Sequence, residues 1–396
     1  MTAASVSNPG AQNLLGLDKL TVTYCNNGTE TEFTDFSDAK YNRLHDGEYG
    51  DYGNWTSSNV DFQGVSFNNK DGTLKNGYNI TLNSSGKVSF TRDTNVPIDN
   101  YTCFTYDLGN YYNLSELQWF SYNGTDFTNT LKTQAYEVYV GNDKDTLYTD
   151  PNNKVLEYNN YFNMQGQIFT FNKKPVGRYL GVKVLMAALE KGTLGNYCRI
   201  SEIAAYGTEV MPADFKANGS IDLWSDGIYY EDNDTEHTTP KTAVYLTAQN
   251  KTPMKSGTNS ADSTKVVLEN GAVASVVSRT FYVATKVTAD KLGDNFGKED
   301  DQTKVKAITN TGSELAGYWK KSVADANGNV STSYGACVKN IKSGKETEPF
   351  AIRAKLVYKV GDHEHTVYSN VVTSDKFSAQ GAYDALGASA PAKWFK

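Results

Sequence analysis

Short segments in which apolar and polar residues alternate recur along most of the chain, and they constrain the fold strongly. Alternation with a period of two places successive side chains on opposite faces of a strand. Asn-Gly, Asp-Gly and Asn-Asn pairs, which favour turns, separate many of these segments. Strands spaced roughly ten residues apart are typical of a sandwich or a barrel. In the first half of the chain the segments lie at residues 20–24, 77–82, 87–91, 103–108, 117–120, 135–140, 167–171 and 179–184.

The composition is typical of an extracellular β-sheet protein. The chain contains 27 Tyr, 17 Phe, 5 Trp and 33 Gly among 396 residues, but only four Cys and four His. Aromatic residues favour strands, and Gly favours turns. The net charge is −7, from 38 basic and 45 acidic residues, which argues against nucleic-acid binding. No apolar run approaches the roughly 20 residues that span a bilayer, so we expect no membrane insertion.

The length and the shifts in composition predict two domains flanked by tails. We expect a polar tail at residues 1–12 and a first domain at residues 13–210. Residues 211–240 combine prolines with an acidic run and are predicted to be a junction that still contains an ordered piece at residues 221–224. A second domain follows at residues 241–386, and residues 387–396 form a linker-like tail. The start lacks the features of a signal peptide, and we expect the chain to be a fragment of a longer protein.

Five phrases of sequence occur in order along the first half. They are Leu44-His-Asp-Gly47 followed by Asn54-Trp55, Tyr106-Asp-Leu-Gly109 followed by Leu114-Ser-Glu-Leu-Gln-Trp119, Ala135-Tyr-Glu-Val-Tyr-Val140, Arg178-Tyr-Leu-Gly-Val182, and Ile200-Ser-Glu-Ile-Ala-Ala-Tyr-Gly207. Each phrase alone is weakly specific. Together they resemble the discoidin family, which includes coagulation-factor type C domains and family 32 carbohydrate-binding modules. The resemblance implies an all-β fold, a jelly-roll sandwich with galactose-binding-like topology.

The resemblance also implies a structural calcium ion. In bacterial members of the family, the ligands come from the Asp-Gly segment and from a Glu near the last strand. The corresponding positions here are Asp46 and Glu202, with Asp51 as a further donor. Calcium prefers about six to eight oxygen ligands, which carboxylates and carbonyls supply. Alternatively, Asp46 only begins a turn and Glu202 lies on the surface; the inserted residues 48–53 depart from the family spacing and put the role of Asp51 in doubt.

The family binds ligands through loops at one end of the sandwich. The corresponding loops here are residues 55–59, 121–134 and 186–197. Sugar recognition needs an aromatic face for the apolar side of the ring and a few positioned hydrogen-bonding groups. Alternatively, the aromatic residues of the second loop pack against their own loop, and its Asn serves the turn. The candidate ligand-binding residues are Trp55, Tyr122, Asn123, Asp126, Phe127, Lys132, Lys191 and Tyr197.

The second half resembles the immunoglobulin-like or fibronectin-type-III-like repeats of bacterial surface proteins. Residues 279–285 and a hairpin of residues 350–358 and 366–372 carry this resemblance. It implies an immunoglobulin-like β-sandwich that serves as a spacer or an interaction module. His363 and His365 stand two apart, so a strand would point both to one face and a metal site is conceivable. An exposed hairpin tip is the commoner meaning of such a sequence.

The cysteines and the absence of catalytic motifs argue against an enzyme. Cys25, Cys103, Cys198 and Cys337 match no zinc or redox spacing. Buried thiols are the simplest interpretation, although one pair could form a bridge. The sequence contains no Gly-x-Ser-x-Gly, no His-Glu-x-x-His and no phosphate loop. The 45 acidic residues leave a catalytic pair of carboxylates open as an alternative, but we expect a protein without catalytic activity.

These features together predict a secreted or surface-exposed bacterial fragment that binds a glycan or glycoprotein. The jelly roll would bind the sugar, and the second domain would hold it away from an anchor. The parent protein would be a surface protein or a multimodular glycan-degrading protein. The alternative is an adhesin or scaffold fragment that binds a host or partner protein or has a purely structural role.

Overall fold

The chain folds mainly into β-strands, as seen in a computed structural model. The described residues are 12–47, 60–67, 69, 73–82, 88–121, 133–161, 167–188, 198–230, 232–238, 241–299, 302–342 and 344–389. Two compact units divide the chain, Met1–Glu209 and Val210–Lys396. The predicted all-β class is confirmed. Within the described ranges, no helix is long and apolar enough to cross a membrane.

The described part of the first unit consists of antiparallel strands and three short 3₁₀ helices. The helices are Leu17–Lys19, Ala39–His45 and Pro151–Asn153. The strands are β1 (Leu20–Asn26), β2 (Thr29–Phe33), β3 (Val60–Phe62), β4 (Tyr78–Leu82), β5 (Val88–Arg92), β6 (Tyr101–Ser121), β7 (Thr133–Gly141), β8 (Lys154–Tyr161), β9 (Gln167–Thr170), β10 (Val176–Ala188) and β11 (Cys198–Glu209).

Strand β6 organises the sheets of this unit because its two halves pair with different neighbours. The main strand order is β2-β1-β6-β10-β7-β8. The first half of β6 pairs with β1, from Tyr101 to Tyr106. Its second half pairs with β11 and β9, and β11 also pairs with β3. One long strand therefore connects the two parts of a jelly-roll sandwich.

The Asp-Leu-Gly phrase lies where β6 changes partners. Gly109 adopts a φ of 79°, which favours glycine because it has no Cβ. Its backbone N–H donates to the Asp107 carboxylate at 2.9 Å. Arg178 of β10 holds the same carboxylate through Nε at 2.8 Å and Nη2 at 2.7 Å. This fork links two of the phrases that carry the family resemblance.

The core of the first unit lies between the sheets and is rich in aromatic side chains. Phe104, Trp119 and Tyr136 are fully buried. The Trp119 and Tyr136 rings stack with centroids 5.5 Å apart, and the Phe104 ring meets Trp119 edge-on at 5.5 Å. Alternation along the strands delivers these side chains to one face, and much of the tyrosine content is therefore structural.

The second unit, where it is described, also consists of antiparallel strands, with two short α-helices, α1 (Lys286–Leu292) and α2 (Ala379–Leu386). Its 3₁₀ helices are Gly293–Asn295, Gly312–Ala316 and Gly387–Ser389. The strands are β12 (Lys216–Tyr229), β13 (Lys241–Pro253), β14 (Lys265–Val267), β15 (Val273–Thr285), β16 (Lys306–Thr311), β17 (Lys320–Lys321), β18 (Asn329–Ile341), β19 (Phe350–Val360), β20 (His363–Tyr368) and β21 (Val372–Thr373).

Two sheets enclose the core of the second unit. One has the order β12-β13-β18-β17, and the other has β14-β15-β19-β20, with β16 beside β15 and β21 beside β19. Val244, Leu246, Phe281 and Ile352 are buried in the core cluster that includes strands of both sheets. The architecture is a β-sandwich, and its immunoglobulin-like family assignment stays a prediction.

The segment predicted to be a junction, residues 211–240, contains β12, which extends beyond the ordered piece expected at residues 221–224. This strand pairs with β13, with Ile221 opposite Leu246 and Leu223 opposite Val244. Ile221 and Leu223 pack against the core cluster of the second unit. The acidic run that suggested a junction follows β12. Two register shifts interrupt the pairing of β12 with β13, and they weaken the alternation of apolar and polar residues along β12.

Candidate functional site

The predicted ligand-binding residues and one predicted calcium ligand lie outside the described residues. The remaining two predicted metal ligands, Asp46 and Glu202, are described. The residues outside are Trp55, Asp51, Tyr122, Asn123, Asp126, Phe127, Lys132, Lys191 and Tyr197.

Asp46 and Gly47 end a 3₁₀ helix that its own sequence defines. Asp38 caps the start of this helix by accepting a hydrogen bond from the Lys40 backbone N–H at 2.9 Å. Asp46 follows as the C-terminal cap, and Gly47 adopts a φ of 78°. Tyr41 and Leu44 are the buried residues of the helix. These two anchors fix the Asp46–Gly47 turn against the sandwich.

A bulge in β11 delivers Glu202 to this turn. The pairing of β11 with β6 shifts register between Ile200 and Glu202. Ile200 and Ile203 consequently both enter the core, although residues three apart would face opposite sides of a regular strand. Glu202 therefore points out of that core, and its side chain is nevertheless buried, at 1% exposed.

The Asp46–Gly47 turn and strand β11 are in direct contact. The Gly47 backbone N–H donates to Glu202 Oε2 at 3.2 Å, across 155 residues of sequence. His45 Nδ1 lies 2.9 Å from the Ile203 carbonyl oxygen, which can only accept, so Nδ1 donates. The His45 ring also contacts Tyr106 edge-on at 5.6 Å. The alternative that Glu202 lies on the surface is thus wrong.

Burial dominates the electrostatics of this cluster. Burial, together with a smaller effect of the nearby Asp46 carboxylate, raises the pKa of Glu202 to about 9, although backbone hydrogen bonds from Gly47 and Asp46 act in the opposite direction. Burial also lowers the pKa of His45, so the imidazole stays neutral at pH 7. Within the described part of the chain, no Lys or Arg forms an ion pair with Glu202.

The donor set of the cluster suits a hard cation. Two carboxylates, Asp46 and Glu202, lie at one turn, and carboxylate and carbonyl oxygens are the ligands that calcium prefers. A buried carboxylate beside a second acid requires a proton or a cation to offset its desolvation. Among the described residues, no group of three or more His, Cys, Asp or Glu side chains could hold a metal ion, and two carboxylates alone do not supply the about six to eight oxygens that calcium prefers.

Sequence reasoning missed a cavity on the same unit. Its volume is about 450 Å³, and its lining includes Tyr24, Phe33 and Tyr41. These residues come from β1, from the end of β2 and from the 3₁₀ helix Ala39–His45. The sequence predicts a strand at Tyr24, but it contains no signal that brings the three elements together.

The candidate metal-binding histidines and the cysteines show little sign of a functional site. His363 is exposed and His365 is half-buried on β20, with the His365 ring 5.5 Å from that of Tyr358. The four cysteines are free thiols, with Cys337 half-buried and the other three buried. Burial raises the pKa of Cys103 to about 12, which disfavours the reactive thiolate.

Comparisons with known proteins found similarity only among solved structures. No protein-family model and no curated protein sequence matches the chain. The module CpGH89CBM32-6 of Clostridium perfringens is 14% identical, with 50% of this chain and 100% of the module covered and a TM-score of 0.27. CpGH89CBM32-5 of the same bacterium, solved with GalNAc-β-1,3-galactose, is 17% identical, with coverages of 29% and 73% and a TM-score of 0.21.

A third similar structure is a fucolectin from striped bass serum (Morone saxatilis). It is 12% identical, with 92% of this chain and 99% of the fucolectin covered and a TM-score of 0.31. These structures are carbohydrate-binding modules and a lectin. Identities and TM-scores this low do not by themselves assign a function to the chain.

Proposed function

We propose that the chain is a non-catalytic carbohydrate-binding fragment of a secreted or surface-exposed bacterial protein. The first unit binds a glycan, and the second unit acts as a spacer. The observation that supports this most is the contact of Glu202 with the Asp46–Gly47 turn. The discoidin resemblance implied that these two distant segments belong to one site. A turn that binds nothing would not require a buried carboxylate beside it.

Calcium completes this proposal. Asp46 and Glu202 would hold the ion together with backbone carbonyl oxygens. The ion would supply the positive charge that the buried carboxylate needs, and it would fix the turn between the 3₁₀ helix and β11. The carboxylate of Glu202 would then be ionised, although burial alone keeps it protonated.

A thermal melt tests the calcium site. Calcium at about one hundred times its Kd should stabilise the protein by about 2.7 kcal/mol, which raises the Tm by about 5–10 °C for a unit of this size. Glu202→Gln should abolish this rise, because the amide cannot carry the charge. Glu32→Gln, at an exposed position of β2, is the matched control and should keep it. An unchanged Tm of the wild-type protein with calcium and with EDTA would reject the site.

A glycan array tests the binding function itself. We expect the full chain to bind at least one glycan, weakly for a single site and more strongly when the protein is clustered, since avidity multiplies weak contacts. A blank array combined with binding to a purified host or surface protein would favour the alternative, an adhesin or scaffold fragment.

A further inference from the structure

The cavity of the first unit has the size and the walls of a small-molecule site. Its volume of about 450 Å³ falls within the range of about 300–1,000 Å³ that is usual for ligand pockets. Tyr24, Phe33 and Tyr41 contribute aromatic walls, and Lys40, Asp61 and Gln63 contribute polar groups. None of these residues belongs to the loops that the sequence predicted to bind ligand.

Packing holds the aromatic wall in place. The Phe33 ring lies 5.9 Å from Tyr24 and 5.6 Å from Tyr41, and Phe62 supports it edge-on from the core at 6.0 Å. Gly64 lies against the Tyr24 ring so closely that a Cβ atom there would overlap the ring. The wall is therefore rigid before any ligand arrives, which lowers the entropic cost of binding.

Two of the tyrosines that line this cavity have hydroxyl groups without a hydrogen-bond partner among the described residues. Tyr24 is 9% exposed and Tyr41 is 7% exposed, and both line the cavity. Among the described residues, neither hydroxyl forms a hydrogen bond. Neither hydroxyl oxygen is fully buried, and each can both donate and accept. These two groups are thus available to a polar ligand.

The basic residue of the cavity lining, Lys40, is already paired with an acid. Lys40 Nζ lies 3.0 Å from the Asp38 carboxylate, and Asp61 adds one acid to the lining. Gln63 contributes a neutral amide that can donate and accept. A strongly anionic ligand would find no unpaired cation at Lys40, so the lining favours an uncharged ligand that is rich in hydroxyl or amide groups.

We propose that this cavity binds one neutral sugar residue, a hexose or an N-acetylhexosamine. The apolar side of the sugar ring would lie against the half-buried Phe33 ring, and its hydroxyls would bond to Tyr24, Tyr41 and Gln63. This inference rests on the proposed glycan-binding function and gives it a place and a ligand class. The cavity is formed by β1, β2, β3 and the 3₁₀ helix Ala39–His45.

Calorimetric titration of the full chain with methyl glycosides tests the cavity. The probes are the methyl glycosides of galactose, glucose, N-acetylgalactosamine and N-acetylglucosamine, with that of glucuronic acid as the charged comparison. At least one neutral probe should bind, and the glucuronide should bind at least tenfold more weakly than that probe. Tyr24→Phe and Tyr41→Phe should each weaken binding about tenfold, because each loses one hydrogen bond and keeps its ring.

Tyr112→Phe is the matched control, since Tyr112 is a partly buried tyrosine of β6 that pairs with Gly177 and Glu209 and does not line the cavity. It should leave the affinity unchanged, and circular dichroism should show the fold of all three variants unaltered. Glycan binding that survives both cavity substitutions would overturn this inference and keep the proposed function. A chain that binds neither the neutral probes nor any glycan on the array would overturn both, and preference for the glucuronide would overturn the neutral ligand class.

Discussion

Single residues in the first unit combine structural and chemical roles that their sequence neighbours do not reveal. Asp107 accepts the Gly109 backbone N–H and a forked pair of bonds from Arg178. Bidentate guanidinium bonds of this kind are stronger than single ones and demand a planar donor. The pair is therefore expected to stabilise the unit more than the exposed ion pairs do.

Substitution of Arg178 measures this contribution. Arg178→Lys should lower the free energy of unfolding by about 1–3 kcal/mol, since a lysine cannot reproduce the fork and leaves Asp107 partly unsatisfied. Lys40→Ala removes an ion pair whose side chains are 42% and 55% exposed, and it should cost less than about 1 kcal/mol. Urea unfolding compares the two variants, and equal losses would contradict the structural role of the fork.

At the scale of elements, β6 is the feature on which the first unit depends. Its halves pair with β1 and with β11, and Gly109 lies between them in a left-handed conformation. The bulge in β11 has a comparable role, because it places Glu202 opposite the Asp46–Gly47 turn. The bulge in β11 and the end of the 3₁₀ helix Ala39–His45 thus position the two candidate metal ligands.

Gly109→Ala tests the left-handed conformation at Gly109 in β6. A side chain at a φ of 79° costs about 1–2 kcal/mol, so the variant should unfold at a lower urea concentration. Gly219→Ala is the control, because Gly219 has no atom within 4 Å of its added Cβ and its φ is not positive. It should leave stability unchanged or raise it slightly. Equal stability of the Gly109 variant and the wild type would show that this position of β6 tolerates a side chain.

At the scale of the whole molecule, the sequence predicted the fold better than the site. Alternation and the ordered phrases predicted β-strands and the approach of Asp46 to Glu202. The cavity could not be predicted, because Tyr24 and Tyr41 meet only after distant elements pack. The second unit shows the same limit, since register shifts interrupt the alternation of β12 and the sequence predicted only a short ordered piece, residues 221–224, within a junction.

The spacer role of the second unit has its own test. Trp224 and Trp319 stack at 5.7 Å, with Lys339 Nζ 5.6 Å from the Trp224 ring. Both tryptophans are half-buried, and a partly exposed aromatic surface of this kind is an alternative place for a sugar to bind. Trp224→Ala should leave glycan affinity unchanged. A loss of affinity in a variant with an unaltered circular dichroism spectrum would show that the second unit binds glycan as well.

The most direct test of the central claim is binding of the intact chain to a glycan array in calcium and in EDTA, with free sugar as competitor. We expect saturable binding to at least one glycan with a neutral sugar residue. This binding should be weaker in EDTA and reversed by the matching methyl glycoside. Binding to no glycan under either condition would contradict it.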